Sequence, residues 1–167
     1  MCGSHNGTDE HRDTVLSALA AAENGPEHLQ CGCHWPLLMQ LENEHPRDGE
    51  EKDPARHNCS GKHAGFLAQA VFLQEDRAEY LNPASGTQKR VLQAVSDYCE
   101  FPIGKMPVGI DGCSAPNVPL ALRNLALAFK KLADFEPQNV AKQVGPLNDL
   151  LEVRKQLKAL LSKTEGN

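Results

Sequence analysis

Several features are missing from this sequence, and each absence excludes a class of protein. No apolar run approaches the roughly 18 residues that a membrane-spanning helix needs, so we expect no membrane partner. Lysine and arginine total 17 against 22 acidic residues, which gives a net charge of -5. Phosphate binding needs concentrated positive charge, so we expect no nucleic-acid partner. The first 13 residues have neither a basic n-region nor an apolar h-region, which predicts no secretory signal and a cytoplasmic location.

Cysteine and histidine, in contrast, are plentiful. The chain has six cysteines and seven histidines among 167 residues. With no secretory signal, the cysteines indicate reduced thiols or metal ligands rather than a disulfide framework. Residues 133–167 contain neither residue type, so we expect any thiol or metal chemistry upstream of them.

Apolar residues at helical spacing predict a series of helices. They are expected over Thr14–Ala22, over the residues that follow His63, over Thr87–Tyr98 and over Pro119–Leu132. Upstream of the first, Asp9 starts an acidic cluster that suits a helix N-terminus. Valines and leucines within residues 138–161 predict one or two further helices.

The segments between these helices carry turn and loop signals. Residues 30–36 are predicted not to form a regular helix, and the charged residues 42–57 predict an exposed loop. Residues 102–107 predict a turn region. Residues 108–114 predict a short strand that ends in a loop.

The most distinctive candidate site is the segment CSGKH at residues 59–63, directly before an apolar helix. Cys59 or Ser60 is predicted to cap that helix with its side chain. Lys62 would lie in the first turn, where the helix dipole disfavours a positive charge. A partly neutral Lys62 could then be a general base or a metal ligand. The alternative is a plain cap followed by a solvent-facing lysine.

A second candidate site is the segment GIDGCS at residues 109–114. Its glycines permit unusual backbone angles and the close approach of a ligand. Asp111 could hold the ammonium group of a substrate, and Cys113 could be a metal ligand. The alternative is an ordinary turn with a buried cysteine, because glycine and aspartate are common turn residues.

Two further segments carry weaker signals. Ser4 beside His5 suggests a nucleophile, although adjacent side chains need not meet. Residues 31–34, CGCH, could bind zinc, but a closed zinc site needs four suitably spaced ligands, so a packed turn is the alternative.

Taken together, these motifs resemble the zinc-containing, Rhizobium-type L-asparaginase family. SHNG at residues 4–7, CG at 31–32, NCSGKHAG at 58–65 and GIDGCSAPN at 109–117 occur in the family's order. The two longer motifs are distinctive, and the resemblance covers residues 1–132.

The resemblance implies a fold, a reaction and a role for each site residue. The implied fold class is α/β or α+β, as a partial domain like that of serine β-lactamases and glutaminases, followed by a helical tail. The implied reaction is hydrolysis of the small molecule L-asparagine to aspartate and ammonia, with Zn²⁺ as cofactor. The implied catalytic residues are Ser4 and Lys62, the substrate-binding residues His63 and Asp111, and the metal ligands Cys59, Lys62 and Cys113.

The chain also departs from the family's pattern. The family's upstream Ser-Lys motif, and the downstream lysine that partners the serine at position 4, have no counterpart here. We therefore expect an incomplete member whose serine lacks its base. Residues 133–167 instead resemble the C-terminal part of the small sheath subunit of type VI secretion systems. This predicts a chimera of two parts, residues 1–132 and 133–167. A chain of single origin with a divergent tail is the alternative.

Two other functions stay open at this point. One is a non-catalytic assembly protein that binds a sheath-type partner through its helical tail, and the other is a zinc-binding module without turnover. A truncated sheet leaves open edges and apolar faces, so we expect marginal stability as a monomer or self-association into a homo-oligomer.

Overall fold

A computed structural model describes residues 4–44 and 49–128. This part of the chain is rich in helix and holds one small two-stranded sheet, which is compatible with the predicted α/β or α+β class. The helices are α1 (Asp9–Ala21), α2 (Leu37–Leu41), α3 (Ser60–Phe72), α4 (Gly86–Cys99) and α5 (Leu122–Leu127). The strands are β1 (Gly109–Ile110) and β2 (Pro116–Asn117). Short 3-10 turns lie at Pro26–His28, Pro54–Arg56, Arg77–Glu79 and Ile103–Lys105.

Helix α1 begins earlier than its apolar residues predict. Thr8 is the N-cap, and its hydroxyl oxygen accepts the N–H of His11. Asp9 and Glu10 place negative charge in the first turn, where the helix dipole favours it. The cap and the dipole therefore extend the helix upstream of its apolar stripe to Asp9, which confirms the N-terminus predicted from the acidic cluster.

The core of the described residues lies between α1, α3 and the turn Pro54–Arg56. Val15 and Leu19 of α1 pack with Leu67 of α3. Ala55 of the turn and the ring of Tyr80 complete this cluster, and both residues are fully buried. Burying a large apolar side chain stabilises a fold by about 1.5–3 kcal/mol, so this cluster fixes the start of α3 against α1.

Helix α4 is capped in part from outside its own sequence. The carboxylate of Glu75 accepts the backbone N–H groups of Gly86 at 2.6 Å and Thr87 at 2.9 Å, and the Thr87 hydroxyl at 3.0 Å. A Cβ atom at position 86 would lie 2.2 Å from the Glu75 carboxylate, so only glycine permits this approach. The helix predicted over Thr87–Tyr98 is confirmed, with one more residue at each end.

The strand predicted within residues 108–114 is confirmed as β1, whose partner β2 was not predicted. The two strands are antiparallel, with Gly109 opposite Asn117 and Ile110 opposite Pro116. The turn between them contains Asp111 and Cys113, so this hairpin positions the second candidate site.

Two predictions made from local pattern are wrong in part. Residues 42–57 are not exposed throughout, because Ala55 and His57 are buried and Asp53 caps the turn that holds Ala55. Helix α5 begins at Leu122, with Ala121 as its N-cap, so Pro119 is not in its first turn. The apolar positions that made residues 119–132 look amphipathic include Leu122, whose side chain is exposed.

The described residues form two compact units, one of residues 4–44, 49–97 and 101–119 and one of residues 98–100 and 120–128. In the second, the side chain of Asn124 donates to the Cys99 carbonyl at 3.0 Å. No helix within either of these ranges is long and apolar enough to cross a membrane. The expected boundary at residue 132 and the helical tail over 133–167 lie outside the described residues and stay predictions.

Candidate active site

Helix α3 begins beside a half-buried thiol. Cys59 is its N-cap, and the backbone N–H of Cys59 donates to Nδ1 of His57 at 3.0 Å. The prediction of a side-chain cap is wrong, because Cys59 makes no capping bond. The hydroxyl of Ser60 instead donates to the carbonyl oxygen of Ala55 at 2.8 Å. The Cys59 thiol therefore takes no part in capping.

His5 holds the N-terminal segment against this helix start. Its backbone N–H donates to the carbonyl oxygen of Asn58 at 3.0 Å. Its Nδ1 accepts the N–H of Gly7 at 3.1 Å, so the ring proton lies on Nε2 and is donated to the Ser60 hydroxyl at 2.9 Å. Burial lowers the pKa of His5, which favours this neutral form. A histidine that donates to Ser60 cannot also be its base, so the pair is structural.

Ser4 lies at the edge of the same helix start. Its side chain is exposed, and its hydroxyl oxygen accepts a hydrogen bond from Nδ2 of Asn58 at 2.8 Å. The other end of the Asn58 amide contacts Nε2 of His34 at 2.9 Å. Across residues 4–44 and 49–128, Asn58 is the one side chain hydrogen-bonded to this hydroxyl, and an amide is not a base.

The hairpin turn is shaped by one carboxylate oxygen of Asp111. Oδ1 accepts the backbone N–H of Cys113 at 2.9 Å and that of Ala115 at 3.1 Å. The same oxygen lies 2.9 Å from the Cys113 sulfur, which donates its S–H. Ser114 has a φ of 66°, a left-handed angle that closes the turn. The shape of this hairpin turn therefore directs the Cys113 thiol into the interior, where it is buried.

The second oxygen of Asp111 pairs with Lys62. Lys62 Nζ lies 3.0 Å from Oδ2. Both side chains are partly buried, with 31% of the Lys62 side chain and 24% of the Asp111 side chain exposed. Burial raises the pKa of Asp111, but hydrogen bonds from Cys113 and Lys62 outweigh it and lower the pKa to about 2. Burial likewise lowers the pKa of Lys62, but hydrogen bonds to Cys113 and Asp111 outweigh it and raise the pKa. In this arrangement the ion pair holds the ammonium charged, and a neutral Lys62 bound to a metal stays a prediction.

His63 is fully buried between Tyr80 and the Cys113 thiol. Its Nδ1 lies 2.7 Å from the Tyr80 hydroxyl, and its Nε2 lies 3.1 Å from the Cys113 sulfur. Burial lowers the pKa of His63 to about 4, so the ring is neutral near pH 7. His63 therefore does not face open solvent, as a residue that contacts substrate directly would.

The two candidate segments meet, as the sequence predicts. Lys62 contacts Asp111, and His63 contacts Cys113. Cys59 packs against a small buried cluster that contains Cys113. The Ser4 hydroxyl reaches this centre through Asn58, the residue before Cys59.

The sequence model of the L-asparaginase II family matches residues 1–152 of this chain. The chain belongs to the L-asparaginase II family. No curated protein matched the chain. The family match accounts for the paired motifs, because both lie within the matched residues.

In this L-asparaginase II family member, the resemblance assigns three residues to zinc. Their donor atoms are of the kinds that zinc binds. Zinc prefers thiolate and nitrogen donors, and Cys59, Cys113 and Lys62 supply two sulfurs and one nitrogen. Within the described part of the chain, no three Cys, His, Asp or Glu side chains are grouped as metal ligands, so the third protein donor would have to be Lys62. Lys62 would first have to lose its proton and exchange Asp111 for the metal.

The weaker candidate at residues 31–34 is a packed turn. The Cys31 thiol is buried in the same cluster as Cys113, and burial raises the pKa of Cys31 to about 12. Cys33 is exposed. His34 uses its two ring nitrogens on Trp35 and Asn58. These four residues do not converge on one point, which favours the packed-turn alternative.

Two contributors to the site were not singled out from the sequence. Asn58 carries the contact between Ser4 and the α3 helix start, and its place in the NCSGKHAG motif was an available signal. Tyr80 contacts His63 from a segment that follows α3. No motif surrounds Tyr80, so sequence pattern offered no signal for it.

Proposed function

We propose that this L-asparaginase II family member hydrolyses the side-chain amide of L-asparagine to give aspartate and ammonia. The observation that carries the proposal is the Lys62–Asp111 ion pair beside a buried thiol, formed by the two motifs that the family resemblance singles out. An amino-acid substrate carries an ammonium group, and the Asp111 carboxylate would bind it once Lys62 leaves the ion pair to hold the metal.

Asp111 is the proposed partner of the substrate ammonium. Its carboxylate stays ionised at every pH near neutrality, because its pKa is lowered to about 2. Hydrogen bonds to charged groups contribute about 1.5–3 kcal/mol, so this contact would provide a large part of the affinity for a small ligand. His63 supports the site through Cys113 rather than through direct contact, given its full burial.

Ser4 is the proposed nucleophile. Its oxygen would attack the amide carbonyl carbon to form an ester with the enzyme, ammonia would leave, and water would then cleave the ester. Asn58 donates to the Ser4 oxygen, so the hydroxyl proton stays available for transfer to a base. Among residues 4–44 and 49–128 no base hydrogen-bonds to Ser4, so that base must come from another part of the chain or from another copy.

Zn²⁺ is a proposed cofactor of the same site. Cys59, Lys62 and Cys113 would hold it, and a bound zinc ion supplies a Lewis acid. The zinc role of these three residues and the serine β-lactamase-like fold are both parts of the proposal. They are supported by the donor set and by the family resemblance.

The test is ammonia release from L-asparagine by the purified chain with zinc supplied. If Ser4 is the nucleophile, Ser4→Ala lowers turnover by at least roughly 1000-fold, because it removes the oxygen on which the ester forms. Ser17→Ala is the matched control, since it removes an exposed hydroxyl from α1. Equal rates for the two variants would show that Ser4 is not the nucleophile.

A further inference from the structure

Tyr80 has no role in the proposed reaction, yet its hydroxyl lies at a junction inside the site. The Tyr80 residue is fully buried and packs in the main core cluster. Its oxygen accepts the backbone N–H of Gln30 at 2.8 Å and lies 2.7 Å from Nδ1 of His63. A buried hydroxyl needs partners for its proton and its oxygen, and here both are present.

The donor and the acceptor in each of these hydrogen bonds follow from the Asp111 carboxylate, which can only accept. Asp111 is ionised, so the contact between its Oδ1 and Cys113 requires the thiol to donate its proton. The Cys113 sulfur then has only lone pairs to offer His63. The Nε2–H tautomer of His63 is the one that can donate to this sulfur, and it also needs a donor at Nδ1.

A neutral histidine with its proton on Nε2 has an acceptor at Nδ1. The Tyr80 hydroxyl is the donor to this Nδ1, and the Tyr80 oxygen also accepts the Gln30 N–H. The result is one continuous chain, from the Gln30 N–H through Tyr80 and His63 to the Cys113 sulfur. Burial raises the pKa of Tyr80, so the phenol keeps the proton that this chain needs.

We propose that Tyr80 is a positioning residue that fixes His63 as the Nε2–H tautomer, so that His63 donates to the Cys113 sulfur. The second partner of a side chain beside a metal ligand commonly sets its orientation and tautomer. The inference rests on the proposed function only for the zinc role of Cys113. The tautomer itself follows from hydrogen bonds among described residues.

The first measurement is the tautomer of His63 in the wild-type chain, read from long-range ¹⁵N–¹H NMR correlations of the imidazole at neutral pH. We expect a single Nε2–H tautomer. An Nδ1–H ring or a mixture would overturn the inference. This readout needs no variant and no activity.

The second measurement uses Tyr80→Phe, which removes the hydroxyl and keeps the ring in the core. We expect the His63 ring to lose its single tautomer, and zinc affinity to fall by about 10- to 100-fold. Tyr98→Phe removes a hydroxyl from the other tyrosine, and Leu19→Ala destabilises the same core without touching the hydrogen-bond chain. Both controls should keep the His63 tautomer.

The outcomes separate this inference from the proposed function. An unchanged His63 tautomer in Tyr80→Phe would overturn the inference, even if that variant were less stable. A wild-type chain that binds no zinc would contradict the proposed metal site, whereas a tautomer that depends on Tyr80 would still support the positioning role.

Discussion

The two carboxylate oxygens of Asp111 make different contacts. Oδ1 shapes the hairpin turn by accepting two backbone N–H groups, and Oδ2 pairs with Lys62. An asparagine at this position would keep an oxygen for the turn and lose the charge. The charge of this residue can therefore be tested separately from its effect on the loop.

At the scale of single residues, His57 and His63 predict acid sensitivity most strongly among the three buried histidines of the site, which include His5. Burial lowers the pKa of His57 and of His63 to about 4, from an ordinary value of 6.5. Between these values the unfolded chain binds protons that the folded chain does not, so stability falls as pH falls. We expect a loss of roughly 2 kcal/mol for each histidine between pH 7.5 and 5.

The measurement is the free energy of urea unfolding across this pH range, with a chelator present to remove any metal. His57→Gln should lose part of the pH dependence, and His28→Gln, which changes an imidazole in the turn Pro26–His28, should keep all of it. Stability that stays level from pH 7.5 to 5 would contradict the burial of His57 and His63 as neutral rings.

Residue identity and local motif predicted part of the site. The contacts of Lys62 with Asp111 and of His63 with Cys113 were not singled out, but that the two motifs share one site was predicted by their family resemblance. The charge of Lys62 in this arrangement was not predicted, because the helix dipole argument ignores a carboxylate that is 49 residues away in sequence. That pairing depends on the fold and has no local signal.

At the scale of elements, Glu75 adds a distant cap to α4, whose local cap is the hydroxyl of Ser85 on the N–H of Gln88 at 3.2 Å. Hydrogen bonds from Thr87 and Gly86 lower the pKa of Glu75, so its carboxylate is ionised near neutral pH. An anion at a helix N-terminus also interacts favourably with the helix dipole. We expect Glu75→Ala to lower the melting temperature and to speed amide hydrogen exchange at Gly86 and Thr87.

Hydrogen-exchange mass spectrometry or NMR checks this expectation. Glu79→Ala is the matched control, because Glu79 contacts only the nearby Asn82 side chain. Equal exchange at the start of α4 in the two variants would mean that Glu75 does not cap the helix.

Element boundaries show why apolar spacing alone was an incomplete guide. Spacing predicted α3 and α4 well, because their apolar residues meet a core. Apolar spacing begins α1 only at Thr14, whereas the acidic cluster at Asp9 predicted the N-terminus that the structure shows. The same reasoning placed the start of α5 too early, at Pro119 rather than Leu122. A proline suits the first turn of a helix but does not by itself start one.

At the scale of the whole molecule, the L-asparaginase II family match covers residues 1–152 and so contains every proposed site residue. The described contacts place these residues on one helix start, one hairpin turn and the N-terminal segment. The sheath-type tail and the homo-oligomer stay predictions. Another copy in a homo-oligomer could supply the base that Ser4 needs, so the oligomeric state bears on the proposed reaction.

The proposed role of Asp111 in this asparagine amidohydrolase is to bind the ammonium group of the substrate in place of Lys62. Its most direct test is ammonia release from L-asparagine, with zinc supplied, by the wild type, by Asp111→Asn and by Asp13→Asn. Asp13 is a control because its carboxylate is exposed and pairs only with Arg12. The account predicts turnover by the wild type and a KM that is about 10- to 100-fold higher in Asp111→Asn, with Asp13→Asn unchanged. No ammonia from the wild type, or equal KM values for the two variants, would contradict it.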